Sequence, residues 1–166
     1  PYVARDILHG LHYIHNQNYV HKDIHPGNVF GSRQFDPMAP NNAPVWRFKI
    51  GDLGISRLEG DIHLFNTILA PFMLPPEYLD PNRFGPMGKH IDIYHAGLLF
   101  LNVILGYMPQ FTREEILTGR PRLIAENLKS RYAGVIARSL RRHVSGRTQS
   151  AIQFWREISK ATANMP

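Results

Sequence analysis

The segment "VHKDIHPGNVF", residues 20–30, concentrates polar side chains that could handle phosphate and a metal ion. Asp23 could orient a hydroxyl group, and Asn28, five residues later, could supply an amide oxygen. A hard cation such as Mg²⁺ prefers oxygen ligands of this kind together with phosphate. The segment therefore predicts a phosphoryl-transfer site. The alternative is a plain polar turn, because Asp and Asn also favour turns.

A metal held against phosphate needs a second carboxylate, and the stretch "KIGDLGISR" supplies Asp52. Asp52 follows a β-prone run and precedes Gly54, where a sharp turn can aim a side chain. The β-prone runs Val29-Phe30 and 45–50 flank a segment rich in Pro and Asn, a pattern that predicts a hairpin. Pairing of the two runs would bring Asn28 and Asp52 close together.

Helical patterns surround this motif. Apolar residues recur at helical spacing over residues 2–18, which predicts an amphipathic helix that leads into the motif. Residues 52–88 show little periodicity and several prolines and glycines, so we expect an extended loop there. Residues 91–106 are apolar almost all round, as expected for a helix in the middle of a domain.

The C-terminal third continues the helical pattern. Thr112 and Glu115 have the spacing of a capping box, and Gly119 is a plausible helix end. Two further amphipathic helices are predicted at roughly 123–142 and 148–160. The expected fold is mainly α with one small β-hairpin.

Composition narrows the class of protein. A chain of 166 residues with 43% hydrophobic and 19% charged residues is typical of one globular domain. The net charge of +6 suits an anionic partner, but the positive residues are scattered apart from clusters at 120–122 and 138–143. A solvated basic surface is therefore favoured over a specific nucleic-acid site.

The absence of cysteine excludes disulfides and thiol catalysis. It fits a reducing compartment, so we expect a cytoplasmic protein. The longest apolar run, 91–108, is interrupted by polar residues and is a poor candidate for a membrane span.

Five landmarks, in order, resemble those of the eukaryotic-type protein kinase family. "HKDIHPGN" resembles its catalytic loop H-R-D-L-x-x-x-N, and "DLG" resembles its D-F-G. "PPE" ending at Glu77 resembles A-P-E, "DIYHAG" from Asp92 resembles the start of the buried central helix, and Arg147 resembles the arginine that pairs with the A-P-E glutamate. The resemblance implies a kinase-like C-terminal lobe over residues 1–166, with catalytic loop 20–30, hairpin insert 31–47, activation segment 52–77 and helical subdomain 89–162.

The resemblance also implies roles for single residues. Asp23 would be the catalytic base, and Asn28 and Asp52 would hold Mg²⁺ against the phosphates of ATP. His25 stands where serine/threonine kinases usually carry a lysine that contacts the transferred phosphate. The candidate catalytic residues are therefore Asp23, His25 and Asn28, although His25 could equally be a plain loop histidine.

Four residues would be structural. The resemblance implies that His21 packs under the catalytic loop and that Asp92 anchors the backbone amides of the loop. It also implies that Glu77 and Arg147 form a buried ion pair. The remaining histidines are expected to be surface or capping residues: His9, His12, His15, His63, His90, His95 and His143.

The chain departs from the family pattern at several positions. Lys22 replaces an arginine and loses the bidentate fork that grips a phosphorylated activation loop. This weakens the case for regulation at Ser56 or Thr67. His25 resembles the "HGDLHPGN" form of small-molecule kinases such as the aminoglycoside phosphotransferases. Ala70 replaces a threonine typical of serine/threonine kinases, which leaves the acceptor open.

Nothing in the sequence resembles a glycine-rich loop or the V-A-I-K lysine of the N-terminal kinase lobe. We therefore expect an N-terminal lobe to come from upstream sequence, and the isolated chain to bind ATP weakly and to transfer phosphate negligibly. The favoured function is the C-lobe of an ATP- and Mg²⁺-dependent kinase, of serine/threonine type, acting on protein hydroxyls. The alternatives are a small-molecule phosphotransferase and a pseudokinase or truncated lobe that acts as a binding module.

Overall fold

Eight α-helices and four short strands form the described part of the chain, residues 2–35, 43–63 and 67–163, in a computed structural model. Part of the predicted hairpin insert and part of the predicted activation segment, residues 36–42 and 64–66, lie outside the described residues. The elements are, in chain order, α1 Tyr2–Asn16, β1 Tyr19–Val20, β2 Val29–Gln34, β3 Val45–Ile50, β4 Arg57–Leu58, α2 Pro76–Leu79, α3 Pro81–Phe84, α4 His90–Leu105, α5 Arg113–Thr118, α6 Arg120–Glu126, α7 Ala133–Ser139 and α8 Ala151–Ala163.

Helix α1 delivers the chain to the catalytic-loop motif. Its apolar stripe buries Ile7, Leu8 and Leu11 completely. The helix ends at Asn16, two residues earlier than predicted. Asn18 adopts a φ of +60°, a left-handed conformation that cannot continue a helix.

The predicted hairpin forms from β2 and β3. The strands pair antiparallel from Val29 opposite Ile50 to Gln34 opposite Val45, so β2 is longer than the Val29-Phe30 run suggested. The Oδ2 atom of Asp6 accepts a hydrogen bond of 3.0 Å from the backbone N–H of Phe48 and thereby ties the hairpin to α1.

A second sheet was not predicted. Strands β1 and β4 pair Tyr19 with Leu58 and Val20 with Arg57. Two-residue strands are too short to show an alternating pattern. The catalytic-loop motif and the turn at Asp52 both lie in the sequence between these two strands.

Helix α4 is the centre of the core, as predicted. Every residue from Ile91 to Leu101 is buried. The helix ends where Gly106 adopts a φ of +79° and donates its N–H to the carbonyl oxygen of Asn102, 2.8 Å away. Helices α1, α7 and α8 pack around α4 and enclose one hydrophobic core.

The prediction of one helix at 123–142 is wrong, because the chain forms two separate helices, α6 and α7, in this region. The side chain of Asn127 bonds to the carbonyl oxygen of Leu123 at 2.7 Å and closes α6. The hydroxyl of Ser130 then accepts from the N–H of Tyr132 and sets up the start of α7. Side-chain hydrogen bonds to the backbone compete here with a continuous helix.

The capping box and the last helix predicted for the C-terminal part are both present. The capping box of Thr112 and Glu115 is present, and Gly119 ends α5 with a φ of +90°. Helix α8 begins three residues later than predicted, because the hydroxyl of Ser150 accepts from the N–H of Gln153 and starts the helix there.

The described part of residues 52–88 is more ordered than an extended loop. It contains β4 and the short helices α2 and α3, each of which has proline in its first turn, a position that needs no N–H donor. The result is a mainly helical domain with two small antiparallel sheets. Within the described residues, no helix combines the length and apolar character needed to cross a bilayer.

Candidate active site

Asp23 and Asn28 are joined directly within the catalytic-loop motif. The amide nitrogen of Asn28 donates hydrogen bonds to the backbone oxygen of Asp23 at 2.9 Å and to its Oδ2 at 2.8 Å. The loop can close in this way because residues 26–28 form a 3₁₀ turn. His25 caps that turn, since its Nδ1 accepts a hydrogen bond from the N–H of Gly27 at 3.1 Å.

The hairpin places Asp52 beside this loop. The N–H of Gly51 donates to the carbonyl oxygen of Asn28 at 2.9 Å, and this bond continues the β2–β3 ladder by one step. Asp52 follows immediately with a φ of +60°, and its Oδ1 accepts from the N–H of Gly54 at 3.0 Å. A left-handed backbone is costly for a residue other than glycine, and such positions cluster at functional sites.

His21 connects the two loops and is fully buried. Its Nδ1 accepts a hydrogen bond from the N–H of Asp23 at 3.3 Å, so the proton of the neutral ring lies on Nε2. Nε2 then donates to the carbonyl oxygen of Gly51 at 3.1 Å. One imidazole therefore fixes the backbone on both sides of the candidate site.

Asp92 anchors the catalytic loop from the core helix. Its carboxylate accepts hydrogen bonds from the backbone N–H groups of His21 at 2.8 Å and Lys22 at 2.7 Å. Its Oδ2 also lies 2.8 Å from Nε2 of His15. Burial alone would raise the pKa of Asp92. The hydrogen bond and charge of His15, together with the two backbone donors, outweigh burial and hold this pKa below its ordinary value.

His25 faces the candidate base. Because its Nδ1 accepts from Gly27, the proton of the neutral ring lies on Nε2, which is 3.6 Å from Oδ1 of Asp23. The ring also meets Phe72 edge-on, with centroids 5.8 Å apart. His25 thus contacts both the catalytic loop and the segment that precedes α2.

Lys22, which the sequence resemblance aligns with an arginine, is buried and has a φ of +70°. Burial lowers its pKa, the nearby charge of Arg57 lowers it further, and Asp92 opposes both effects.

Glu77 and Arg147 form a two-bond ion pair with both side chains completely buried. The Nη1–Oε1 and Nη2–Oε2 distances are 2.6 and 2.8 Å. Nη1 also donates to the carbonyl oxygen of His90 at 2.9 Å, and the guanidinium lies 5.0 Å from the ring centroid of Tyr94. The pair ties α2 to the start of α4 and to the loop before α8.

The expectation of surface or capping positions was wrong for His15 and His95. His95 is fully buried, and its Nε2 bonds to the carbonyl oxygen of Met73 at 2.9 Å. Burial lowers its pKa to about 4. Two signals could have revealed these positions: His15 lies four residues after Leu11 on the apolar stripe of α1, and His95 lies inside a helix that is apolar on every side.

Phe30 is a site residue that the motif did not reveal. Its ring is 60% exposed, yet it packs over the backbone of Gly51. A Cβ atom at Gly51 would lie 2.9 Å from Cδ2 of Phe30, so only glycine leaves room for the ring. The ring therefore forms an exposed apolar surface beside Gly51, the residue before Asp52.

Comparison with protein families matches residues 2–164 to the protein kinase domain. The chain belongs to the protein kinase family. Among the relatives of this kinase domain, the DNA damage response protein kinase DUN1 of Saccharomyces cerevisiae is 28% identical over 139 residues, which cover 78% of this chain and 26% of the relative. The probable serine/threonine-protein kinase WNK4 of Arabidopsis thaliana is 32% identical over 109 residues, or 64% of this chain and 17% of the relative. The kinase domain described here thus spans about a quarter or less of the length of these two relatives.

Proposed function

We propose that this kinase domain is a C-terminal lobe that helps transfer the γ-phosphoryl group of ATP to a serine or threonine hydroxyl of a protein. One observation carries the proposal: Asn28 is bonded to Asp23 and lies opposite Gly51, directly before Asp52. This arrangement gathers one candidate base and two oxygen ligands at one end of the hairpin. The serine/threonine kinase names of the relatives support the choice of acceptor.

The donor set suits Mg²⁺. Both hydrogen bonds of Asn28 use its amide nitrogen, so its amide oxygen is the atom available as a ligand beside the carboxylate of Asp52. Within the described residues no cluster of three or more His, Asp or Glu could hold a metal by itself. Two protein oxygens nevertheless suffice for Mg²⁺, which usually completes its shell with phosphate and water and, when bound, offsets phosphate charge.

Asp23 would receive the acceptor hydroxyl. Oδ2 of Asp23 accepts a hydrogen bond from the amide nitrogen of Asn28, while Oδ1 of Asp23 lies near the Nε2 proton of His25. We infer that Oδ1 orients the hydroxyl and accepts its proton and that His25 contacts the transferred phosphoryl group. Phe30, exposed beside Gly51, would offer an apolar surface to the nucleotide base.

A second, nucleotide-binding lobe would complete the site. The exposed side chains of Tyr13, Tyr19 and Leu53 border an apolar groove, which Ile14 also lines. We propose that the second lobe packs into this groove and that the isolated chain therefore transfers phosphate negligibly. A cytoplasmic location fits the lack of cysteine and belongs to the same proposal.

A small-molecule phosphotransferase is the second candidate, and His25 followed by Gly27 favours it. The Glu77–Arg147 pair argues for the protein kinase, since the resemblance links that pair to the protein kinase A-P-E segment. A non-catalytic binding module is the third candidate, and the bonded Asp23 and Asn28 argue against it.

The test uses the full-length protein with radiolabelled ATP and casein. Asp23→Asn preserves the shape of the side chain but removes the charge that accepts a proton, so we expect transfer to fall by at least about a hundredfold. Glu126→Gln is the matched control, because this surface carboxylate pairs with Arg122 on its own helix and with no other cation that the structure describes.

Phosphoamino acid analysis separates serine and threonine from tyrosine as acceptors. Parallel assays with kanamycin and choline test the small-molecule alternative. Equal transfer by the protein and its Asp23→Asn variant would overturn the proposed role of Asp23. Labelling of kanamycin or choline in preference to casein would overturn the protein-kinase assignment.

A further inference from the structure

Three arginines from separate elements lie close together around Phe84 and helix α5. We call this the arginine face and define it by Arg83 of α3, Arg113 of α5 and Arg142 of the loop after α7. The guanidinium carbons of Arg83 and Arg142 lie 5.0 and 5.9 Å from the ring centroid of Phe84. The two cations therefore share one aromatic ring.

Helix α5 carries the other contacts of this face. Nη2 of Arg113, at its start, donates to the carbonyl oxygen of Leu79 at 3.4 Å, just before α3. Nη1 of Arg142 donates to the carbonyl oxygen of Leu117 at 2.7 Å, near the end of α5. The side chain of Arg142 also lies 3.3 Å from the position that a Cβ at Gly119, at the end of α5, would take.

Charge is unbalanced on the arginine face. Within the described part of the chain, none of its three guanidinium groups pairs with a carboxylate. Arg131 and Arg141 also bond to backbone carbonyl oxygens instead of carboxylates. The arginine face differs in that its arginines come from separate elements and meet around one ring and one helix. The arginine face thus keeps a surplus of positive charge.

The acidic side chains nearest in sequence do not cancel this surplus. Asp80 caps α3 by accepting from the N–H of Arg83, and Glu115 is engaged in the capping box of α5. Within the described residues, Glu114, the remaining acid of α5, makes no ion pair with the three arginines. The arginine face therefore presents guanidinium groups that the carboxylates of a ligand could bind.

We propose that the arginine face binds an acidic segment of a partner protein. A guanidinium accepts a carboxylate through two parallel hydrogen bonds, which suits aspartate and glutamate side chains. The ring of Phe84 and the carbonyls of Leu79 and Leu117 already order the arginine side chains, so binding loses little side-chain entropy.

A protein segment fits the arginine face better than a nucleic acid does. Single-stranded nucleic acids bind proteins through cations together with exposed aromatic rings on which bases stack. The aromatic ring of this face, Phe84, is only 2% exposed and cannot offer that surface. The inference stands on this surface alone and does not depend on phosphoryl transfer.

The experiment measures binding of a fluorescein-labelled polyglutamate peptide to the purified protein by fluorescence anisotropy. Arg83 and Arg113 are exposed, so Arg83→Gln/Arg113→Gln removes two charges without disturbing the core. Lys129→Gln/Arg131→Gln is the matched control, because it removes two exposed charges elsewhere. Melting temperatures of both variants check that each remains folded.

We expect the arginine-face variant to bind the peptide about tenfold more weakly and the control to bind within about twofold of the parent protein. A labelled single-stranded oligonucleotide is measured in parallel. Equal loss in both variants would show non-specific attraction to net charge and overturn the proposal. Tighter binding of the oligonucleotide than of the peptide, lost in the arginine-face variant, would also overturn it.

Discussion

Nε2 of His15 lies 2.8 Å from Oδ2 of Asp92 and joins the end of α1 to the start of α4. The same carboxylate holds the backbone of His21 and Lys22. The position of the catalytic loop therefore depends on a histidine outside the catalytic-loop motif.

We predict that His15→Leu destabilises the domain by about 1–3 kcal/mol, because a buried carboxylate loses a donor. The pKa of Asp92 is held below its ordinary value, so its contribution to stability is present above that value and is lost as the pH falls through the folded pKa. Without His15 this pKa rises, and acid unfolding should begin at higher pH. Urea unfolding between pH 3 and pH 7 measures the shift. The control is His12→Leu, since the ring of His12 bonds to Asn16 on its own helix and makes no contact with Asp92 in the described part of the chain. An equal shift in both variants would contradict the prediction.

We predict a strong coupling between Glu77 and Arg147. Glu77→Gln leaves a buried guanidinium without its counter-charge and should cost about 3–5 kcal/mol in the free energy of unfolding. Adding Arg147→Met removes the stranded charge, so the double variant should lose clearly less than the sum of the single losses. Urea unfolding of the four proteins in this cycle gives the coupling. Additive losses would show that the pair is not a unit.

We predict that His95 makes stability fall as the pH drops from about 6.5 to about 4. Burial lowers its folded pKa to about 4, and its Nδ1 has no hydrogen-bond partner among the described residues. In that pH range the unfolded chain binds a proton that the folded domain does not, at a cost on the order of 3 kcal/mol across the range. His95→Gln can keep the bond to the carbonyl of Met73 but cannot titrate, so its stability should change less between pH 7 and pH 4.5. Parallel pH dependence of parent and variant in urea unfolding would refute this assignment.

We predict that Gly51→Ala displaces the ring of Phe30. The new Cβ would collide with the ring, and relief requires a shift that costs about 1–3 kcal/mol. The control is Gly60→Ala, because no atom lies within 4 Å of the position its Cβ would take. Thermal unfolding gives the cost, and hydrogen exchange at Val29 and Phe30 reports the strand pairing. Faster exchange should appear in the Gly51 variant alone; unchanged exchange there would mean that the ring moves without disturbing the hairpin.

The sequence predicted the elements whose signals are local. The all-apolar run of α4, the capping box at Thr112 and the β2–β3 hairpin follow from neighbouring residues, and all three are present. The break between α6 and α7 was missed because side-chain hydrogen bonds of Asn127 and Ser130 to the backbone override an otherwise helical pattern. Periodicity reports the apolar face of a helix but not where a polar side chain ends it.

The residues of the candidate site were likewise indicated where the signal is local and missed where it is not. The motif indicated Asp23, Asn28 and Asp52, and the hairpin brings their segments together. The inward positions of His15 and His95 were missed because a sequence pattern counts histidine as a polar residue. Each nevertheless lies on the side of its helix that faces the core. The role of Phe30 depends on the absence of a side chain at Gly51, 21 positions further along the chain, and no local pattern reports such a contact.

The anchoring of the catalytic loop has a consequence for the way the domain opens. Asp92 is separated from His21 by 71 positions in the sequence, and Arg147 is separated from Glu77 by 70. Contacts that close such long stretches form only when distant parts of the chain are already in place. The catalytic loop should therefore not fray on its own, since releasing it requires the core helix to give up its carboxylate. Its amide protons at His21 and Lys22 should exchange with solvent as slowly as those of the core itself.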